Sequence, residues 1–326
     1  MSHSPFPISI PRQRRGSAIL LLLLSVLLLL AACTQPGEVA VASSGDAPIR
    51  VVTTIGMITD VARNVGGEHV EVTGLMGAGV DPHLYKATES DVNRLLNAQI
   101  IFYNGLFLES RMEDVFAQIA ESKPAIAVGE AVPVAERLAS PQYAEHFDPH
   151  IWMDVKNWQM VAEKIRDELI AFDPAHEADY RSNTAAYLAQ LQELEAWVQE
   201  QVKTVPEQQR LLVTAHDAFH YFAKGYDFSV YAPQGISTES EAGVEDIRRT
   251  IDIVVEQNIP AIFVESSVPP DVVEAIVEGA RARGHEIRIG GSLFSDAMGE
   301  DGTPEGTYIG MIRHNVGTIT SALRGE

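Results

Sequence analysis

Short apolar runs alternate with stretches of helical periodicity along the first half of the chain. The runs with the composition of buried strands are Arg50–Ile55, His69–Leu75, Gln99–Tyr103 and Ala125–Val128. The stretches between them that show helical spacing lie near Met57–Val65, Glu89–Asn97 and Arg111–Glu121. Strands that alternate with helices in this way predict a mainly parallel sheet covered by helices.

The second half of the chain repeats this alternation. Its expected strands are Arg210–Ala215, Phe228–Tyr231, Ala261–Val264 and Glu286–Ile289. Its expected helices lie near Asp217–Gly225, Gly243–Gln257, Pro270–Arg283 and Thr307–Leu323. We therefore expect a second α/β lobe, built on the same principle as the first.

A long helical tract separates the two halves. Asn157–Ala171 forms one segment, which ends around Asp173 and Pro174, and a second segment runs from His176 to about Thr204 without an internal glycine or proline. Apolar positions recur along it at helical spacing, which we interpret as core packing. Nearly 30 helical residues span about 40 Å at 1.5 Å per residue. The pattern predicts two α/β lobes bridged by a single long helix, an arrangement expected to restrict lobe closure to small movements.

The N-terminus has the features of a bacterial lipoprotein signal peptide. Three arginines precede the apolar run Ala18–Leu30, which at about 13 residues is short for a membrane-spanning helix. The run ends in Leu-Ala-Ala before Cys33, as in a lipobox. We predict that residues 1–32 are removed and that the Cys33 sulfur carries the lipid. The alternative is an uncleaved anchor with an incidental cysteine.

These patterns predict the domain organisation. Residues 33–48 are small and polar and lack periodicity, so we expect a flexible tether. The N-terminal lobe is predicted at 49–172, the linking helix at 173–205 and the C-terminal lobe at 206–326. A lipid on Cys33 would hold the body at the extracytoplasmic face of the cell membrane, in the periplasm or at the cell surface.

Charge and cysteine content exclude several classes of protein. The chain has 45 acidic and 24 basic residues and a formal net charge of −21, so no basic face for nucleic acid is expected. One cysteine in the whole sequence excludes a disulfide framework and a zinc site built from several thiolates.

The triplet Asp-Pro-His occurs twice in the first half of the chain. His83 lies in GVDPHLY and His150 in FDPHIWMD. Proline fixes the backbone before each imidazole. The preceding aspartates, Asp81 and Asp148, offer acceptors for a ring N–H, as metal-bound histidines usually require. The repeated triplet therefore indicates two candidate metal ligands.

Two further candidate ligands follow strands of the second half. His216 comes after Leu-Leu-Val at the carboxyl end of a strand, where α/β proteins place ligands, and is expected to open the next helix. Asp296 follows the strand Glu286–Ile289. Three neutral imidazoles and one carboxylate suit a borderline divalent cation. Two ligands from each half would place the ion between the lobes.

Several segments carry an explicit family resemblance. They are DPHLY, FDPHIWMD, TAHDAFHYFAKGY, APQGISTESEAG, VESSV, GGSLFSDAMG and GTYIGMIRHN. In this order they resemble the zinc/manganese solute-binding proteins of ABC transporters, the TroA-like group, from about Ile49 to the C-terminus. The resemblance implies two lobes bridged by one helix, and capture without catalysis. Its metal ligands fall on His83, His150, His216 and Asp296.

The resemblance also implies the cargo and the partners. We expect a monomer that carries one Mn²⁺ or Zn²⁺ per chain to a membrane permease and its ATPase. Many manganese-selective members have glutamate where this chain has His216. Dedicated zinc members often have a histidine-rich loop, whereas Glu130–His146 contains one histidine. The choice between the two metals stays open. The residues expected to support the ligands from behind are Asp81, Asp148, Asp154 and Glu265.

Two other functions compete with metal delivery. His216 and His220 are spaced i, i+4 with Asp217 between them, which approaches the His-Glu-x-x-His helix of zinc proteases. A secreted zinc metallohydrolase is therefore one alternative, although aspartate is a methylene shorter than the glutamate base and the pattern leaves both Asp-Pro-His triplets unexplained. A surface adhesin lipoprotein is the other. We predict His220 to be a helix-face residue or to support a ligand.

Overall fold

The structure is a computed structural model that describes residues 47–140 and 142–325, together with residue 1. The predicted signal peptide, the lipid site at Cys33 and most of the predicted tether lie outside the described residues. Among the described residues, no helix combines the length and the apolar character that a membrane crossing needs.

A parallel sheet forms the first half of the described chain. Its strands are β1 (Ile49–Thr53), β2 (Val70–Gly74), β3 (Ile100–Tyr103) and β4 (Ala125–Ala127), in the order β2-β1-β3-β4. The helices between them are α1 (Gly56–Gly66), α2 (Glu89–Asn97) and α3 (Glu113–Ala120). The central strands β1 and β3 are almost wholly buried, which explains their unbroken apolar runs. The predicted βα alternation of this half is confirmed.

The second half is also α/β with parallel pairing. Strand β5 (Leu211–Val213) pairs with β6 (Ser229–Tyr231), and β7 (Ala261–Glu265) pairs with β8 (Arg288–Leu293). The helices are α6 (His220–Tyr226), α7 (Val244–Glu256), α8 (Asp271–Ala282) and α9 (Tyr308–Arg324). The parallel α/β character predicted for this half is therefore confirmed.

Two boundaries in this half were predicted wrongly. Helix α6 begins at His220 and not near Asp217, because His216 continues the edge of the sheet in a parallel bridge with Gln234. Strand β8 extends to Leu293 and not only to Ile289. The sequence pattern did not indicate the rest of the strand, because Gly290 and Gly291 have low β-propensity. At this point the pairing of β8 with β7 also contains a register shift.

The linking tract consists of α4 (Val155–Phe172) and α5 (Glu177–Val202). Asp173 and Pro174 separate the two helices, as the sequence predicts. Helix α5 has 26 residues and packs against α1, α4 and α9. We call the part of the chain before α5 the first lobe and the part after it the second lobe. The α/β fold with parallel sheets and one long linking helix is confirmed.

The apolar stripe of α5 is core, as predicted. Its buried members are Tyr180, Thr184, Tyr187, Leu191, Leu194, Val198 and Val202. Leu191→Ala is expected to lower the free energy of unfolding by about 2–5 kcal/mol, because it leaves a cavity in a fully buried position. Urea denaturation measures this loss. The neighbouring exposed position provides the control, since Gln192→Ala is expected to change stability by less than about 0.5 kcal/mol.

Candidate metal centre

The structure brings His83, His150, His216 and Asp296 together. One ligand atom from each residue lies within 4.8 Å of those of the other three, and all four residues are buried. The first two belong to the first lobe and the other two to the second lobe. Residues up to 213 positions apart in the sequence therefore converge on one point.

The spacing of the four ligand atoms matches that of a small coordination polyhedron. His83 Nε2 lies 3.3 Å from His150 Nε2 and 3.5 Å from Asp296 Oδ2. The other two oxygen contacts are His150 Nε2 to Asp296 Oδ1 at 3.3 Å and His216 Nε2 to Asp296 Oδ2 at 3.2 Å. A tetrahedral ion with bonds of about 2.1 Å has ligand-to-ligand edges of roughly 3.4 Å. The four distances are thus close to the edges of such a polyhedron, and the remaining pairs of ligand atoms lie within 4.8 Å of one another.

Three of the polar atoms that face the centre lack hydrogen-bond partners among the described residues. Both carboxylate oxygens of Asp296 and Nε2 of His216 are buried without a hydrogen-bond partner among the described residues. A buried carboxylate without a donor is strongly unfavourable, and a cation bound between the four residues removes that penalty. Burial raises the pKa of Asp296, but the neighbouring His216 and His150 lower it by more, so the pKa lies well below its usual value. The group is therefore an anionic ligand.

The Asp-Pro-His triplets form the same local turn at both sites. Asp81 Oδ1 accepts a hydrogen bond from the backbone N–H of His83 at 2.9 Å, and Asp148 Oδ1 accepts one from His150 at 2.9 Å. Each aspartate thus closes an Asx turn over the intervening proline, which explains why the triplet recurs. The turn directs the imidazole that follows it into the centre.

Asp148 also orients the ring of His150. Its Oδ1 lies 2.7 Å from His150 Nδ1, so the ring donates there and presents Nε2 to the centre. Burial disfavours the charged form of His150, but the carboxylates of Asp148 and Asp296 outweigh it and raise the pKa to about 9. Burial likewise opposes ionisation of Asp148, whereas His150 lowers the pKa of that carboxyl to about 2.

Glu265 performs the corresponding role for His216. Its Oε1 accepts hydrogen bonds from the backbone N–H groups of Ala215 and His216, both at 2.8 Å. Its Oε2 contacts Nδ1 of the His216 ring. This carboxylate at the end of β7 therefore fixes both the chain and the ring, and leaves Nε2 free for the centre.

Two residues expected to support the ligands make no contact with a ligand ring within the described chain. Asp81 does not contact the His83 ring, because its second oxygen accepts a hydrogen bond from Thr238 Oγ1 at 2.6 Å. Asp154 caps the N-terminus of α4 by accepting from the backbone N–H of Lys156 at 2.9 Å, and within the described chain it makes no contact with the four ligand residues. Asp154 follows the Trp-Met pair of the FDPHIWMD segment, and this position alone did not distinguish a supporting residue from a helix cap.

His220 lies behind the centre and not in it. Its Nδ1 is 3.4 Å from Asp148 Oδ2, and its Nε2 is 3.2 Å from Asp217 Oδ1. Both ring nitrogens therefore face carboxylates that belong to the surroundings of the site. The i, i+4 pair of a protease helix is absent here, since His216 precedes α6.

Known proteins resemble this chain along most of its length. The model of the family described as zinc-uptake complex component A, periplasmic (ZnuA), matches residues 51–322. The manganese-binding lipoprotein MntA of Bacillus subtilis (strain 168) is 45% identical over 293 residues, covering 90% of this chain and 95% of that protein. The zinc-binding protein TroA of Treponema pallidum (strain Nichols) is 47% identical over 281 residues, covering 86% and 91%.

A solved structure shares the fold. The periplasmic zinc-binding protein TroA from Treponema pallidum superposes with a TM-score of 0.83 at 46% sequence identity, covering 85% of this chain and 99% of that one. The resemblance to the TroA-like group and the two-lobed α/β fold are thereby confirmed. This chain belongs to the ZnuA family of periplasmic metal-uptake components, the solute-binding proteins of metal ABC transporters.

Proposed function

We propose that this protein captures one Mn²⁺ or Zn²⁺ ion outside the cytoplasm, with His83, His150, His216 and Asp296 as ligands, and delivers it to an ABC permease and its ATPase. One observation carries the proposal. Four buried ligand atoms from both lobes are spaced for a divalent cation, and the carboxylate among them lacks any other partner in the described chain.

The chemistry of the site favours binding over catalysis. A catalytic zinc site keeps an open position for water or substrate beside three protein ligands. Here four protein ligands converge and all of them are buried, so an incoming ion exchanges its water for imidazole and carboxylate. The protein therefore acts as a carrier and not as an enzyme.

The donor set accommodates both candidate cargoes. Among the relatives, MntA is named manganese-binding and TroA zinc-binding. Imidazole and carboxylate ligands suit either ion, and zinc binds more tightly than manganese at most nitrogen and oxygen sites. We infer that metal availability and the permease, together with affinity, decide which ion is delivered.

The location of the carrier follows from its N-terminus. A lipid on Cys33 would anchor a monomer to the membrane, while the segment 33–48 would let the body reach the permease. The names of relatives such as MntA, a lipoprotein, support this arrangement.

Metal uptake in the native host tests the function. A strain that lacks the gene is expected to accumulate less radioactive manganese or zinc from micromolar medium, and the wild-type gene is expected to restore uptake. A gene with Asp296→Asn is expected to fail although the protein is present in the membrane. If uptake of neither metal depends on the gene, the proposal is wrong.

Metal affinity is expected to fall as the pH decreases. The carboxylates around His150 raise the pKa of its ring to about 9, so below that pH an arriving ion must displace a proton from this ligand. Burial lowers the pKa of His83 to about 3, so that ring stays neutral and offers no competition. Each displaced proton weakens binding by roughly tenfold per pH unit.

Isothermal titration at several pH values measures this dependence. The dissociation constant is expected to rise steadily between about pH 7.5 and about pH 5, and proton release is expected to appear as a dependence of the heat on the buffer. An unchanged affinity over that interval would contradict imidazole ligation.

A further inference from the structure

The three imidazoles of the centre are not held in the same way. Asp148 contacts the ring of His150, and Glu265 contacts the ring of His216. Among the described residues, no carboxylate other than that of Asp296 lies within 4.0 Å of the His83 ring nitrogens. His83 is therefore the one imidazole of the three whose ring no supporting carboxylate orients within the described chain.

The His83 loop is itself held from the second lobe. Three consecutive residues, Ser237, Thr238 and Glu239, which we call the clasp, each contact the first lobe. Thr238 Oγ1 donates to Asp81 Oδ2 at 2.6 Å, two residues before His83. The backbone N–H of Ser237 donates to Gln142 Oε1 at 2.9 Å.

The third contact of the clasp reaches the other side of His83. Glu239 Oε1 lies 3.1 Å from Arg111 Nε, and Arg111 Nη1 donates to the backbone oxygen of Leu84 at 3.2 Å. The loop is thus fixed on both sides of the ligand: directly at Asp81, and through Arg111 at Leu84. The Arg111 and Glu239 side chains are 32% and 29% exposed, so substitutions there disturb little of the core.

The clasp is also coupled to a second ligand. Gln234 forms a parallel bridge with His216, and its backbone N–H donates to Ala215 O at 3.3 Å. The Gln234 side chain donates to the backbone oxygens of Thr238 and Ser240 at 3.2 and 3.0 Å. Any displacement of the clasp relative to the first lobe is therefore transmitted between the His216 and His83 positions.

We propose that the clasp positions His83 against the bound ion and sets the rate of metal release. This inference rests on the proposed metal capture. While the hydroxyl of Thr238 holds Asp81, the His83 ring stays on the ion. Loss of the contact frees the loop, His83 leaves first, and solvent reaches the ion. Thr238 and Glu239 are positioning residues, since neither is among the four ligands.

The dissociation rate of the metal tests this proposal. The full chain, solubilised in detergent and loaded with Zn²⁺ or Mn²⁺, is mixed with excess chelator, and release is followed by stopped flow. Thr238→Val keeps the shape but removes the donor, and is expected to accelerate release by about 10–100-fold, as losses of ligand-supporting hydrogen bonds do. Thr238→Ser restores the hydroxyl and is expected to release metal within about twofold of the wild type.

A second pair of variants leaves the buried Thr238 unchanged. Glu239→Gln weakens the contact with Arg111 and is expected to accelerate release by a few-fold, while Glu241→Gln, at a nearby exposed position, is expected to leave the rate unchanged. If Thr238→Val folds poorly by near-ultraviolet circular dichroism, the Glu239→Gln and Glu241→Gln pair decides the matter.

The outcomes separate the two proposals. A wild-type chain that binds no metal would overturn the proposed function. A wild-type chain that binds one ion, with Thr238→Val and Glu239→Gln both releasing it at the wild-type rate, would overturn the clasp and leave the function intact. If Thr238→Val releases the ion faster and Thr238→Ser does not, the clasp is supported. The two variants then differ in the hydroxyl that donates to Asp81.

Discussion

Asp296→Asn is expected to lower the affinity for Mn²⁺ and Zn²⁺ by on the order of 10²–10³-fold, or roughly 3–4 kcal/mol, as the loss of one partner from a buried charge pair does. The substitution retains the shape of the side chain and removes the anionic charge. Both oxygens of Asp296 face imidazole Nε2 atoms and lack other partners in the described chain, so their role is electrostatic.

Competition titration with a chelator of known affinity measures this loss. The control is Asp227→Asn, since the Asp227 side chain is 88% exposed and pairs only with Arg210 among described residues. The control variant is expected to bind metal like the wild type. An Asp296→Asn protein that is folded and binds either ion with wild-type affinity would remove the carboxylate from the ligand set.

Glu265→Gln is expected to weaken metal binding by about 10–100-fold, the range typical of groups that orient a metal-bound histidine. Glutamine has one acceptor oxygen, and while that oxygen stays on the two backbone N–H groups, the N–H₂ group faces Nδ1 of His216 and cannot accept from it. The ring then loses the contact that keeps its proton on Nδ1 and presents Nε2 to the ion. The backbone N–H groups of Ala215 and His216 also depend on this carboxylate.

A double-mutant cycle separates orientation from general damage. If Glu265 acts through the His216 ring, Glu265→Gln is expected to add little to the loss already caused by His216→Ala. Affinity measured for both single variants and the double variant provides the coupling. Independent, additive losses would mean that Glu265 supports the site by another route.

The elements of the fold were largely predictable, since most of them depend on local periodicity. The buried runs of β1 and β3 and the stripe of α5 are recognisable without tertiary information. The start of α6 could not be predicted, because the bridge between His216 and Gln234 joins residues 18 positions apart in sequence. The extension of β8 was hidden for a different reason: pairing with β7 overrides the low β-propensity of two glycines.

The candidate ligands were predictable because each sits in recognisable turn or strand-end chemistry. The support of His150 by Asp148 follows from the same triplet, since the aspartate lies two residues away and reaches both backbone and ring. The equivalent triplet at His83 predicted a ring contact that the structure does not have. There the second oxygen of Asp81 accepts a hydrogen bond from Thr238, which lies 157 residues along the chain. No local sequence pattern predicts such a partner.

X-ray absorption spectroscopy of the metal-loaded full chain tests the four-ligand carrier site most directly. We predict one ion per chain, with three imidazole nitrogens and carboxylate oxygen at about 2.0–2.2 Å, and with the imidazole signal reduced in His83→Ala and His150→Ala. A bound ion coordinated by fewer than two imidazoles, or a spectrum unchanged by both substitutions, would contradict the site assigned to His83, His150, His216 and Asp296.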